Sequence, residues 1–291
     1  MDGIILINKE KGYTSNDVVQ IVKHTLNEKT GHIGTLDPNA TGVLPILIGK
    51  GTKISKYLIN HDKIYEAVIR LGIKTDTADG EGKIIEEEKI NKELLNENSI
   101  KQILNSFIGK AEQIPPMYSA IKVGGKKMYE YARSGKKIEL TPRTIEIYDI
   151  KLLNYLNESG EISFLVHCSK GTYIRTLCED IARRLKNIGY MKELKRVQVG
   201  EFNINDSIEI SKLKFREIDI NSLKERIISI EKNLNRFEEI KINEYEMSKF
   251  LNGVKLKKEL QDGTYRIYDF QNKFIGTGII KNKQLKRDVI I

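Results

Sequence analysis

Apolar positions along the chain switch between two periods, and the switches mark its elements. The run Gly3-Ile-Ile-Leu-Ile-Asn8 is continuously apolar and predicts a short buried strand. Thr14-Ser-Asn-Asp17 then offers N-caps to a helix that aligns Val18, Ile21, Val22 and Leu26 on one face. Over residues 64–71 the period drops to two, with Tyr65, Ala67, Ile69 and Leu71 facing one way. Residues 161–169 repeat that alternation through Ile162, Phe164, Val166 and Cys168. A helix begins near Thr172, since Ile174, Leu177, Cys178, Ile181 and Leu185 recur at helical spacing.

Residues 203–240 hold neither glycine nor proline and read as a helical connection. Beyond them, Asn243-Glu-Tyr-Glu246 has the form of a capping box, and Phe250-Leu251 runs into Asn252-Gly253 as a C-cap. Short apolar segments at 265–270, 274–280 and 289–291 predict a small β-barrel-like domain. Strands and helices interleave without regular βαβ spacing, which predicts an α+β fold with a mixed, largely antiparallel sheet. The division falls near residue 238, giving units at 1–237 and 238–291.

Composition narrows the function classes. The 291 residues are 40% hydrophobic and 31% charged, as in a globular protein. Apolar stretches such as Val43-Leu-Pro-Ile-Leu-Ile48 fall far short of the ~20 residues that span a bilayer, so no membrane segment is expected. The first residues lack a basic segment followed by a long apolar one, which predicts a cytoplasmic protein. Cys168 and Cys178 are the two cysteines and read as reduced, buried thiols, too few for a structural zinc site; no metal is expected. The net charge of +9 favours an anionic partner. Its placement says more than its sum. Residues 241–291 carry 11 Lys/Arg and 6 Asp/Glu. A second basic run holds Lys122, Lys126, Lys127, Arg133, Lys136 and Lys137 against Glu130 alone, beside Tyr118, Tyr129 and Tyr131. Cations mixed with aromatics suit phosphates and unpaired bases, although such runs also serve as plain solvated faces.

The densest constellation is Gly31-His-Ile-Gly-Thr-Leu-Asp-Pro-Asn-Ala-Thr-Gly-Val-Leu-Pro45. Pro38 excludes helical geometry from Asp37, and Gly31, Gly34 and Gly42 allow close approach of another chain. Asp37-Pro38 also serves as an ordinary turn starter. Arg175 sits in the first turn of its helix, where the macrodipole disfavours a cation, and that placement calls for an acidic or phosphate partner. Asp76 and Asp79 are further carboxylates, and they fit Asx turns equally well.

Four of these segments carry a family resemblance: GHIGTLDPNATGVLP, KIYEAVIRLG with TDTADGEG behind it, PPMYSAIKVGGKKMYEYARSG, and KGTYIRTL. In this order they resemble the bacterial tRNA pseudouridine-55 synthases of the TruB type, and the C-terminal region is similar to a PUA RNA-binding domain. The resemblance implies the pseudouridine synthase fold and cofactor-free isomerisation of a T-loop uridine. The N1–C1′ bond breaks, the base turns, and C5 bonds to C1′. It implies that Asp37 is the catalytic carboxylate, acting at C1′, at C6 or through a glycal. Arg175 would pair with Asp37, and Tyr65 would stack on the flipped base and assist proton removal from C5. His32 would fill the space the uridine vacates, Asp79 would contact the flipped nucleotide, and Leu194 would wall the pocket. Lys9 matches the lysine beneath the active loop, and residues 113–137 match the insertion that closes over the RNA. Glu10 stands where the family usually has proline, and Gly80 where alanine is more usual.

The implied partner is the tRNA T-arm, met by a stand-alone monomer with no guide RNA. Three rivals stay open on sequence alone. A guide-RNA-dependent relative shares the aspartate loop but generally lacks the closing insertion. An RNA chaperone needs no chemistry. A glycosidase would use Asp37 with Asp76 or Asp79.

Overall fold

The structure, a computed structural model, describes residues 1–119, 121–134 and 140–291. Lys136 and Lys137 of the basic run lie outside the described residues, as do the side chains of Lys122, Lys126, Lys127, Tyr129 and Arg133. The main sheet runs from Ile208–Glu209 through Gly3–Lys9, Thr41–Ile48, Gly189–Val199, Lys63–Leu71, Glu161–Cys168 and Arg143–Leu156 to Gly109–Gln113. Two neighbours on that path are parallel, Ile208–Glu209 with Gly3–Lys9 and Gly189–Val199 with Thr41–Ile48; the others are antiparallel. The predicted α+β class and mixed, largely antiparallel sheet are what the chain builds.

Both faces of the sheet's first half are covered, which explains the unbroken apolar run at its start. Ile5 and Ile7 join one core, while Ile4 and Leu6 join another on the opposite face. In the second half the alternation holds as predicted. Tyr65, Ala67, Ile69 and Leu71 are buried, and in the ladder Val166 stands opposite Tyr65 and Phe164 opposite Ala67. Helix Ile174–Arg184 lays Leu177, Cys178 and Ile181 on that face. Helix Ser15–Leu26 opens with a capping box between Thr14 and Asp17, as its sequence suggests.

The stretch 203–240 departs from expectation. It is a string of short pieces rather than a helical connection: Ile208–Glu209 is an edge strand, and helices Ile210–Lys214 and Ile220–Glu225 are only five and six residues long. Its β-branched isoleucines suit an extended edge as readily as a helix, and absence of glycine and proline does not itself make one. Residues 239–290 form a separate five-stranded sheet around Ile240, Phe250, Ile267 and Leu285. The Asn243–Glu246 capping box is present there. Its last strand, Gln284–Ile290, starts earlier than the pattern at 289–291 suggested. No helix among the described residues is long and apolar enough to cross a membrane.

Gly42 controls how closely the central strands meet. It has φ +110°, and an added Cβ would lie 2.2 Å from the Arg196 carbonyl oxygen of the parallel neighbour. Backbone strain and overpacking then add, so Gly42→Ala is expected to cost about 2 kcal/mol or more. A urea midpoint unchanged from wild type would refute this reading of the crossing.

Candidate active site

Asp37 sits in the loop of a hairpin between Thr30–His32 and Thr41–Ile48. Ser15 and Lys9 hold the loop from below. Leu36 donates its N–H to Ser15 Oγ at 2.8 Å, and Ser15 Oγ donates back to the Leu36 carbonyl at 3.0 Å. Lys9, wholly buried, donates its ammonium to the carbonyls of Pro38 (2.9 Å), Tyr13 (2.7 Å) and Glu10 (3.1 Å). Burial pushes Lys9 down to about 8, with the Asp37 charge pulling the other way. Three bonds engage all three ammonium donors, so Lys9 fixes the residue after Asp37 and has none left for a substrate.

Arg175 answers the question its helix position posed. Its Nη2 lies 3.2 Å from Asp37 Oδ2 and its Nη1 3.3 Å from Asp79 Oδ2. The same nitrogens donate to the Tyr118 carbonyl (2.8 Å) and the Thr77 carbonyl (3.3 Å). The planar fork therefore holds two carboxylates and two carbonyls at fixed angles, which a lysine could not do. Gln113 supports the start of that helix, accepting the Tyr173 N–H at 2.8 Å and donating to the Tyr173 carbonyl at 3.0 Å. Asp37 keeps 40% of its side-chain surface open while Arg175 keeps 7%, so the aspartate faces outward and the arginine backs it. Desolvation raises the Asp37 pKa above its ordinary value; Arg175 opposes that and Asp79 adds to it.

The two loop aspartates divide their work. Asp76 Oδ1 accepts the Lys83 N–H at 2.8 Å and closes its own loop. Asp79 accepts from Thr77 Oγ1 at 2.6 Å and the Glu81 N–H at 3.1 Å on one oxygen, leaving the other for Arg175. Tyr65 lies buried on Lys63–Leu71, two strands from Thr41–Ile48, and Leu194 is half-buried on the strand between them, opposite Ala67. His32 ends the first hairpin strand with its Nδ1 buried and without a partner among the described residues. Burial first, and the Arg196 charge next, lower its pKa from the usual histidine value, so the ring is neutral at pH 7. Among the described residues no group of three or more His, Cys, Asp or Glu is placed to hold a metal ion.

Known families align with this geometry. The model described as TruB family pseudouridylate synthase (N terminal domain) matches residues 22–174, more than half of the chain. The chain belongs to the TruB family. The model for the tRNA pseudouridylate synthase B C-terminal domain follows at 175–235, and one for Pseudouridine synthase II TruB, C-terminal, at 239–286. A relative from Clostridium kluyveri named tRNA pseudouridine synthase B is 46% identical over 98% of both chains. One of the same name from Clostridium novyi is 45% identical over the whole of both. Among solved structures, a chain of a Cbf5-Nop10-Gar1 complex superposes with TM-score 0.70 at 24% identity, covering 99% of this chain and 84% of that one; the likeness is one of fold.

In this TruB chain the structure brings Arg175 onto Asp37, the pairing the sequence suggested, adds Asp79 to the same guanidinium, and seats Lys9 beneath the Asp37 loop. Arg196 was missed. Only 1% exposed, it donates Nε–H to the Val43 carbonyl at 2.9 Å and Nη2–H to the Gly34 carbonyl at 3.0 Å, clamping both ends of the Asp37 loop. One signal was available. Arg196 lies two residues beyond Leu194, on the same side of a strand.

Proposed function

We propose that this TruB enzyme isomerises a uridine in the T-loop of tRNA, position 55, to pseudouridine, and that it does so alone. The observation that carries this reading is the Asp37–Arg175 contact at 3.2 Å, made by an aspartate that stays open to solvent on a loop braced from below. A uridine turned out of its stack presents its sugar to that carboxylate. Attack at C1′, attack at C6 and removal of the C2′ proton each need Asp37 ionised, and Arg175 favours that form. Tyr65 stacks on the uracil and takes the C5 proton. Leu194 walls the pocket, Asp79 contacts the flipped nucleotide through its position beside Arg175, and His32, neutral and half-buried, fills the vacated stack. Lys9 acts through the loop.

The reaction rearranges bonds within one nucleotide without net oxidation, so it calls for no redox cofactor. In this reading the insertion at 113–137, of which 120 and 135–137 lie outside the described residues, meets the T-loop, and the Tyr118 carbonyl on Arg175 ties its described part to the site. The unit at 238–291 adds a PUA-like RNA contact. Near-complete overlap with relatives named tRNA pseudouridine synthase B supports independence from a guide RNA.

An isolated T-arm transcript carrying [5-³H]uridine tests this. The protein alone is expected to release tritium and leave one pseudouridine at the target position, without free uracil. Binding without release marks a chaperone, free uracil marks a glycosidase, and a requirement for added guide RNA or partner protein removes the stand-alone reading.

A further inference from the structure

The Arg196 guanidinium is a buried cation with no acid paired to it among the described residues. Its hydrogen-bond acceptors are the carbonyls of Val43 and Gly34, and none of the groups acting on its charge is a carboxylate. Burying a cation among neutral partners costs several kcal/mol, as an order of magnitude, and such charges are normally paired. A neutral amide of similar length could brace the two carbonyls without that cost. At 1% exposure the guanidinium is closed to an RNA phosphate. Of the titrating groups within range of its charge, His32, Lys9, Lys63 and Tyr65, only Tyr65 can become an anion. Arg196 and Tyr65 stand directly opposite each other in the antiparallel ladder, which puts both buried side chains on one face of the sheet, and the charge of each acts on the other.

We propose that Arg196 is the positioning residue for Tyr65, bracing the Asp37 loop with two of its arms while its charge balances the tyrosinate that takes the C5 proton. The inference rests on Tyr65 being the base at C5. Once C5 has bonded to C1′ it is tetrahedral and still carries its proton, and the ring holds a C6=N1 double bond. Tyr65 gives its own phenol proton through water to N1, and the tyrosinate oxygen so formed takes the proton at C5. The C5–H pair becomes C5=C6 as the C6=N1 pair settles on N1. Tyr65 is a phenol again, and the net change is a proton moved from C5 to N1. Around Tyr65, burial opposes the anion most strongly, with Cys168 and Asp37 adding to it; Arg196 favours it by charge and by contact. The other titrating groups near Arg196, His32, Lys9 and Lys63, are bases whose protonated forms its charge disfavours, so none of them neutralises it.

Arg196→citrulline, installed by nonsense suppression, separates brace from charge. Citrulline keeps the Nε–H and one terminal N–H₂ and loses the positive charge. Single-turnover isomerisation is measured on T-arm transcripts with the target uridine bearing hydrogen or deuterium at C5. The citrulline variant is expected to be about 10²-fold slower, the scale of general base catalysis, with unchanged RNA affinity and a C5 deuterium effect clearly larger than wild type. Combined with Tyr65→Phe it is expected to add no further loss. A wild-type rate, a slower rate without a larger isotope effect, or a full additive loss overturns the proposal. Arg196→Lys keeps the charge but not the fork and does not depend on the citrulline protein folding. An isotope effect at the wild-type value supports the proposal there, and a raised one overturns it. If Tyr65→Phe matches wild type in rate and isotope effect, the base assignment fails and the inference with it. Loss in Tyr65→Phe without change in Arg196→citrulline sinks the inference alone.

Discussion

Asp37→Asn is expected to abolish isomerisation while leaving RNA binding intact. The amide is nearly isosteric, so the contact with Arg175 loses its charge but the loop keeps its shape. The anchors at Leu36, Pro38 and Gly34 are main-chain atoms that the substitution does not touch. An amide is neither a nucleophile nor a base, and every path open to Asp37 needs one or the other. The loss in single-turnover rate should be on the order of 10⁴-fold or more, as for removal of a reacting group elsewhere. Tritium release and a filter-binding titration on the same T-arm transcript check both halves. Residual release within tenfold of wild type would remove Asp37 from the chemistry, and weakened binding would give it a part in holding the RNA.

Arg175→Met should be the next most damaging change, and its signature is a shift along the pH axis. The Asp37 pKa already lies above its ordinary value because desolvation outweighs the pull of Arg175. Without the guanidinium, desolvation and the like charge of Asp79 act unopposed except by Lys9, and the pKa rises further. The reactive form is the anion. Activity is lost as pH falls through the folded-state pKa, so the acid limb of the profile must move to higher pH in the variant. At neutral pH the rate should drop about 10³-fold, since the two carboxylates also lose the fork that aims them. Arg175→Lys should keep the acid limb nearer to wild type while remaining slow, because one ammonium cannot span both carboxylates. An acid limb that stays in place in Arg175→Met would mean the arginine serves the packing of Tyr118 and Thr77 instead.

What the sequence made legible follows from the kind of signal each residue left. Alternation placed Tyr65 on its strand because its partners Ala67, Ile69 and Leu71 are all apolar, while Glu66 and Arg70 mark the other face as the less buried one. Arg175 stood out because a cation in a first helical turn opposes the local dipole, and an opposed preference demands a compensating contact. Arg196 left no such mark. It follows Lys195, whose Nζ pairs at the surface with Glu66, and a Lys-Arg pair reads as solvent-facing until the pleat is known to turn one of them inward. The 203–240 stretch was misread because its isoleucines answer to distant partners, as where Ile208 pairs with Ile7 and Ile228 bridges Ile4. No window of local sequence contains those contacts.

The position of Gly189–Val199 also bears on how the enzyme is made. That strand lies between Thr41–Ile48 and Lys63–Leu71, joining the half of the sheet that carries the Asp37 hairpin to the half that carries Tyr65. A chain growing from the ribosome has its aspartate, its tyrosine and Arg175 in hand before Gly189 emerges, yet among the described residues no other main-chain ladder links the two halves. Assembly waits on closure of contacts far apart in sequence, a slow kind of folding step. Competence to modify RNA thus arrives late and all at once, and a truncated product has the reactive groups without the strand that aligns them.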